Sequence, residues 1–253
     1  MARRKNSESG QGPTPAVILV GADKGGVGKT TISRALLDYY GEKNILVRAF
    51  DTEHPRGTLQ RFHPDITEIV DLTTVGDQMR VIDTLDTSQV KVSVIDIRAG
   101  LLSRTLEALQ EIGFLDAAAE GQFDLHIVHV LGPSIASLEE IAEIAPFVDE
   151  ASYYLTKNFI NETNFFEWDE ETYNKYFKKL KNGVEMTIPK LHEMAYEQVD
   201  IAGIPYSDFV ANKPRGGNQT FSFVLRGYVR KWIGDISEEF DRVGLDRVVA
   251  SDS

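Results

Sequence analysis

An α/β fold, with a mostly parallel twisted sheet flanked by helices on both faces, is predicted by three observations. Short apolar runs alternate with helical patterns along most of the chain. Near the start, the run Ala16-Val17-Ile18-Leu19-Val20 passes through glycines into a helical pattern from Ile32 to Tyr40. The 253 residues suit one α/β domain with a sizeable core.

Taken in order, residues 1–15 are polar, with three basic residues and two prolines, and predict a disordered basic tail before a domain spanning 16–253. The first apolar run predicts a strand over 16–22, and the pattern after the glycines predicts a helix over 29–41. Ile45-Leu46-Val47-Arg48-Ala49-Phe50 predicts a strand over 45–50, then a helix over 55–62 and a strand over 67–72. Val92-Ser93-Val94-Ile95-Asp96 predicts a buried strand over 91–96, followed by a helix over 101–113. Strands over 124–131, 152–158 and 184–188 alternate with helices over 134–148, 169–181 and 190–199. A last helix over 219–243 carries Phe221, Val224, Leu225, Tyr228, Trp232, Ile236 and Phe240 at three- and four-residue steps, one apolar stripe. Residues 159–183, rich in aromatics and charge, predict an elaboration of the domain, either a satellite cluster under a helix or a partner surface.

Composition excludes several classes. With no cysteine there are no disulfides, thiolate metal ligands or cysteine-held iron–sulfur clusters. No apolar run approaches membrane-spanning length, and a soluble cytoplasmic protein is expected, with no membrane partner. The net charge of −12 argues against a globally electrostatic nucleic-acid binder. Charge is uneven, however. Residues 209–234 contain Lys213, Arg215, Arg226, Arg230 and Lys231 with no acid, leaving −17 for the remainder. They form either a local basic patch able to take DNA or an ordinary solvated face.

Chemistry concentrates at Gly21-Ala22-Asp23-Lys24-Gly25-Gly26-Val27-Gly28-Lys29-Thr30-Thr31. Strand, glycine-rich turn and helix start are the context in which backbone N–H groups and a helix dipole hold phosphate. Lys29 is placed to reach the β- and γ-phosphates of a nucleotide, and Thr30 to ligate Mg²⁺. The fold class narrows to a single-domain P-loop NTPase. Asp23 stands where the usual spacing has its first glycine, and Lys24 follows it.

With that lysine, the chain resembles the ParA/MinD-type P-loop ATPases with a deviant Walker A motif. The resemblance implies ATP and Mg²⁺ as ligands, bound by Gly25 to Thr31, and a homodimer formed with ATP in which Lys24 reaches the partner's nucleotide. Asp51-Thr52-Glu53-His54-Pro55 matches the family's D-x-D-P. By that match Asp51 supports the Mg²⁺ shell and Glu53 orients the attacking water, one methylene longer than the family's aspartate. The alternative is that both acids cap the following helix. Asp96 matches the Walker B acid and holds Mg²⁺ through water, with Arg98 in the usual proline's place. Thr187-Ile188-Pro189 and Gly203-Ile204-Pro205 resemble the ParA adenine pocket, with Pro189 against the base and Asn158 reading it; loop punctuation is the other reading.

Three functions follow. The first is an ATPase acting as an ATP-driven dimerisation switch in DNA or plasmid partition, or in positioning another cargo or partner protein. The second is a nucleotide-gated, weakly hydrolysing interaction protein. Phe123 to Val130, with the aromatic segment after it, resembles ParA-like proteins of conjugal transfer systems. The third is a metabolic ATP-dependent enzyme of the same superfamily. His126 and His129 fall on opposite faces of one strand and make no metal pair.

Overall fold

A computed structural model describes residues 14–85, 89–149, 151–160, 163–178, 183–216 and 220–249. The tail expected over 1–15 lies almost wholly outside these residues. Pro15 is already tied down, because its carbonyl accepts from Asp124 N at 2.9 Å.

Seven strands form one sheet: β1 (Ala16–Gly21), β2 (Val47–Asp51), β3 (Thr67–Ile69), β4 (Val92–Asp96), β5 (Asp124–Leu131), β6 (Ser152–Asn158) and β7 (Gly183–Ile188). Their order is β3-β2-β4-β1-β5-β6-β7, and every neighbouring pair is parallel. Parallel pairing explains the near-continuous apolar strands, since each is covered on both faces.

One face of β1 (Ala16, Ile18, Val20) packs against α1 (Lys29–Glu42), α8 (Glu193–Ala202), α9 (Tyr206–Val210) and α10 (Phe223–Arg242). The opposite face (Val17, Leu19) packs against α3 (Val75–Ile82), α4 (Leu102–Glu111), α5 (Phe114–Ala119) and α6 (Ile135–Ile144). The short α2 (Thr58–Phe62) follows β2, and α7 (Glu170–Tyr176) lies between β6 and β7.

Several predicted elements change shape. The helix over 55–62 begins only at Thr58, after an extended Gly57. The helix over 101–113 stops at Glu111, and Gly113, in the left-handed region at φ 75°, starts α5. Three helices were missed: α3, which Thr74 caps by accepting from Asp77 N, α5, and α9, the last only five residues long. The predicted α10 stripe holds at Phe221, Leu225, Trp232, Ile236 and Phe240, all buried, and differs at its edge. Val224 and Tyr228 are 62% and 46% exposed, while Val229 and Ile233 pack inward. The elaboration is part of the main core, with Phe165 and Phe177 buried in it. Lys157, itself buried, pins it through Glu167 at 3.0 Å and also pairs with Glu185 of β7 at 2.7 Å. No helix among the described residues is long and apolar enough to cross a membrane.

His126 and His129 do lie on opposite faces, beside Tyr154 and Tyr153 respectively. Burial holds His126 neutral, its pKa pushed down to about 4 from 6.5. Between those values the unfolded chain binds more protons than the native one. His126 therefore contributes stability that is complete above the unfolded pKa and is lost as pH falls toward the folded one. Each affected histidine adds a slope of at most roughly 1.4 kcal/mol per pH unit. His126→Gln is expected to flatten the acid-side loss of stability measured by urea unfolding; an unchanged pH profile would contradict the assignment.

Candidate phosphate and nucleotide site

The site lies at the carboxyl ends of the central strands, where open α/β sheets place ligands. The turn after β1 runs into α1 with Gly26 at φ 75° and Gly28 at φ 90°, both left-handed. Gly28 has a second reason to be glycine. A Cβ there would lie 2.1 Å from Asn158 Nδ2, which donates to Val27 O at 2.8 Å. The loop is thus locked to the end of β6 with its backbone at the helix N-terminus.

Lys29, in the first turn of α1, is buried. No hydrogen bond or ion pair of its ammonium is found among the described residues. Burial lowers its pKa, opposed by the charges of Asp96, Glu53, Glu140 and Asp23. A partly desolvated ammonium without a protein partner, in the lining of a cavity, suits an anion.

The register Val20↔Asp96 brings the end of β4 beside the P-loop. Asp96 Oδ2 accepts from Thr30 Oγ1 at 2.7 Å and Oδ1 from Ser33 Oγ at 2.9 Å. Burial raises Asp96 to about 7, against the hydrogen bond from Thr30. No group of three or more metal-ligating side chains converges among the described residues. A hydroxyl paired with one carboxylate, beside a glycine-rich loop at a helix N-terminus, nevertheless fits Mg²⁺, which is commonly bound through one or two carboxylates plus substrate phosphates.

Asp51 stands level with Asp96 across β2 and β4. Its carboxylate accepts from the backbone N–H of Glu53 at 2.9 Å, Leu59 at 2.7 Å and Gln60 at 3.2 Å. It is therefore the anchor of α2, the capping alternative left open in the sequence, while still lining the cavity. Burial raises its pKa, against those three bonds. Glu53 is held by the Thr58 hydroxyl, which donates to Oε2. Arg98, where a proline was expected, uses its N–H to donate to Thr52 Oγ1 at 2.7 Å. Thr52 Oγ1 in turn donates to Asp96 O at 3.1 Å, joining the segments after β2 and β4.

A cavity of about 580 Å³ joins Gly26, Gly28, Lys29, Thr30, Thr31, Asp51, Glu53, Asp96, Asn158 and Pro189. Gly25, Val27 and Lys24 lie outside its lining. Lys24 is exposed, with Nζ donating to Ser134 Oγ at 2.7 Å. Asn158 has its amide N–H committed to the P-loop. Pro189 accepts from Trp232 Nε1 at 2.6 Å, and Tyr196 and Leu191 complete that end.

Sequence reasoning missed Ser33, Thr58, Trp232 and Glu140. Ser33 follows Thr30 at a helical step and Thr58 follows Glu53 by five residues, signals that were readable. Glu140, which accepts from Asp23 N at 2.9 Å, carried none.

The chain matches no protein-family model and no curated protein. Solved structures do resemble it. The MinD cell division protein of Aquifex aeolicus is 14% identical over 87% of this chain and 97% of its own, with a TM-score of 0.50. A protein described as a plasmid partition protein of Borrelia burgdorferi B31, bound to AMPPNP, is also 14% identical, over 92% and 99%, at 0.50. At that identity the likeness establishes the fold alone, the one this chain shares with MinD and the plasmid partition protein.

Gly28→Ala is expected to abolish nucleotide binding and to cost roughly 1–3 kcal/mol of stability, because strain and a clash with Asn158 coincide. Calorimetry with ATP and thermal unfolding measure both; wild-type affinity would mean that the loop does not carry phosphate.

Proposed function

We propose that the protein is a Mg²⁺-dependent ATPase working as an ATP-driven dimerisation switch, in DNA partition or the positioning of another cargo. The observation that carries this reading is the Lys29 ammonium, without a protein partner among the described residues, beside the Thr30–Asp96 pair and in the lining of a nucleotide-sized cavity. Lys29 neutralises the β- and γ-phosphates. Thr30 and Asp96 hold Mg²⁺, with Asp51 supporting its shell; the ion supplies further charge neutralisation to the transferring phosphoryl group. Glu53 orients the attacking water. Lys24, exposed beside Ser134, reaches the nucleotide of a second copy.

The three site residues should fail differently. Lys29→Ala is expected to weaken ATP binding at least roughly ten- to hundred-fold, the equivalent of one lost charge-assisted contact. Lys24→Ala should bind ATP as a monomer, with neither dimer nor hydrolysis. Glu53→Ala should bind, dimerise and stay closed. Calorimetry and light scattering with ATP and Mg²⁺ separate them. A normal dimer from Lys24→Ala, or wild-type turnover from Glu53→Ala, contradicts the respective role.

The hold of Thr58 on Glu53 favours a second reading, a nucleotide-gated protein that hydrolyses slowly. Single-turnover hydrolysis by the wild type and Thr58→Val distinguishes the two: acceleration by the variant supports slow, restrained hydrolysis.

For DNA, the proposed patch narrows. Arg226 is half-buried, donating to Val210 O at 3.2 Å, and Lys231 pairs with Asp235 at 2.5 Å. Arg215 bonds backbone carbonyls, while Lys213 and Arg230 are exposed. Arg230→Glu with Lys231→Glu is expected to suppress ATP-dependent DNA binding and leave nucleotide affinity intact, and wild-type binding should fall steeply with salt. Gel shifts at low salt that show no wild-type binding with ATP would remove DNA as a partner.

A further inference from the structure

The helix α2 is five residues long, too short to hold itself together. It is clamped at both ends by groups with other work to do. At its start, Asp51 accepts from Leu59 N and Gln60 N, and Thr58 binds Glu53. Gly57 allows this approach, since a Cβ there would lie 2.5 Å from Asp51 Oδ2. At its end, Arg215 Nη1 donates to Arg61 O and Nη2 to Phe62 O, both at 3.0 Å. One end of α2 thus rests on two acids of the candidate nucleotide site, and the other on the basic segment.

The flank of α2 is equally specific. The Phe62 ring lies under the Arg34 guanidinium, 3.4 Å from its centroid, and Tyr206 covers the other side at 4.1 Å. Arg34 comes from α1, one turn beyond Thr30, and its buried Nε and Nη2 have no hydrogen-bond partner. Beside Phe62 a cavity of about 350 Å³ separates the segment after α2 from Lys213, Pro214 and Arg215. The stack holds α2 laterally without a directional bond, and the cavity leaves room for the basic segment to shift.

We infer that α2 is a strut that couples occupancy of the nucleotide site to the Lys213–Arg215 segment: phosphate and its cation at Asp51 and Glu53 draw those acids away from α2, and Arg215 is released. The inference rests on the nucleotide reading above and adds its route of regulation. A carboxylate that turns toward a cation loses alignment with the N–H groups of Leu59 and Gln60. A single-turn helix without its N-terminal acceptor frays, and the paired carbonyls of Arg61 and Phe62 no longer present one geometry to Arg215. The coupling is reciprocal: an anion that takes Arg215 must favour nucleotide binding by the same factor, of a size commonly about five- to 150-fold.

Hydrogen exchange on the full chain tests the strut, with and without ATPγS and Mg²⁺. Nucleotide should slow exchange over 25–31 and speed it several-fold over both 58–63 and 209–216. Slowed exchange over 25–31 with no change in the other two segments overturns the strut and leaves the nucleotide reading intact; no change over 25–31 overturns both. Two variants probe the coupling without ligand. Gly57→Ala, which crowds Asp51 off α2, should speed exchange over 209–216. Arg215→Gln should speed it at Leu59 and Gln60. Effects confined to each variant's own end of α2 would overturn the strut even if nucleotide binds.

Discussion

Asp96 accepts hydrogen bonds from Thr30 and Ser33, and through them the end of β4 is fastened to the first turn of α1. The parallel register of β1 and β4 makes the contact, and it sets the direction in which α1 leaves the sheet. Everything at the site is referred to this clamp. Lys29 enters the cavity because α1 starts where it does, and Gly28 closes on Asn158 because the loop is drawn between β4 on one side and β6 on the other. A buried carboxylate is costly unless it is hydrogen-bonded, and here both oxygens are occupied by hydroxyls of α1.

From that clamp two lines of contact lead outward. Thr52 bridges Asp96 O and Arg98 N, so the segments that follow β2 and β4 share one hydroxyl. Asp51 continues to α2, and α2 to Arg215. A proline at position 98 would remove the N–H that meets Thr52. The arginine there acts first through its backbone, an effect its side-chain charge does not suggest.

The Lys29 motif was legible because it is local: strand, glycines, lysine and hydroxyl follow one another within one supersecondary unit. Asp51, Glu53 and Asp96 were legible as strand-end acids that line one cavity. Their present partners were not, since Thr58 and the N–H groups of Leu59 and Gln60 meet them only once α2 has formed. Helices of five to eight residues such as α3 and α9 left too short a pattern to read. On α10 the three- and four-residue steps marked five residues that are buried, but periodicity left the edge of the stripe open. Packing decided it: Val229 and Ile233 face the core, and Val224 and Tyr228 face outward.

The sequence by itself determined the alternation of buried strands and helices, and with it a parallel sheet bearing a glycine-rich loop after its first strand. Periodicity and glycine placement are local properties, and they survive whatever the rest of the chain does. Tertiary structure decided which groups are paired and which are left exposed or unsatisfied. It engaged Asp51 and Arg215 at opposite ends of one short helix, left the Lys29 ammonium without a partner among the described residues and left Lys24 exposed beside Ser134. Those outcomes depend on distances between residues far apart in the chain, which strand order and register set and no local pattern encodes.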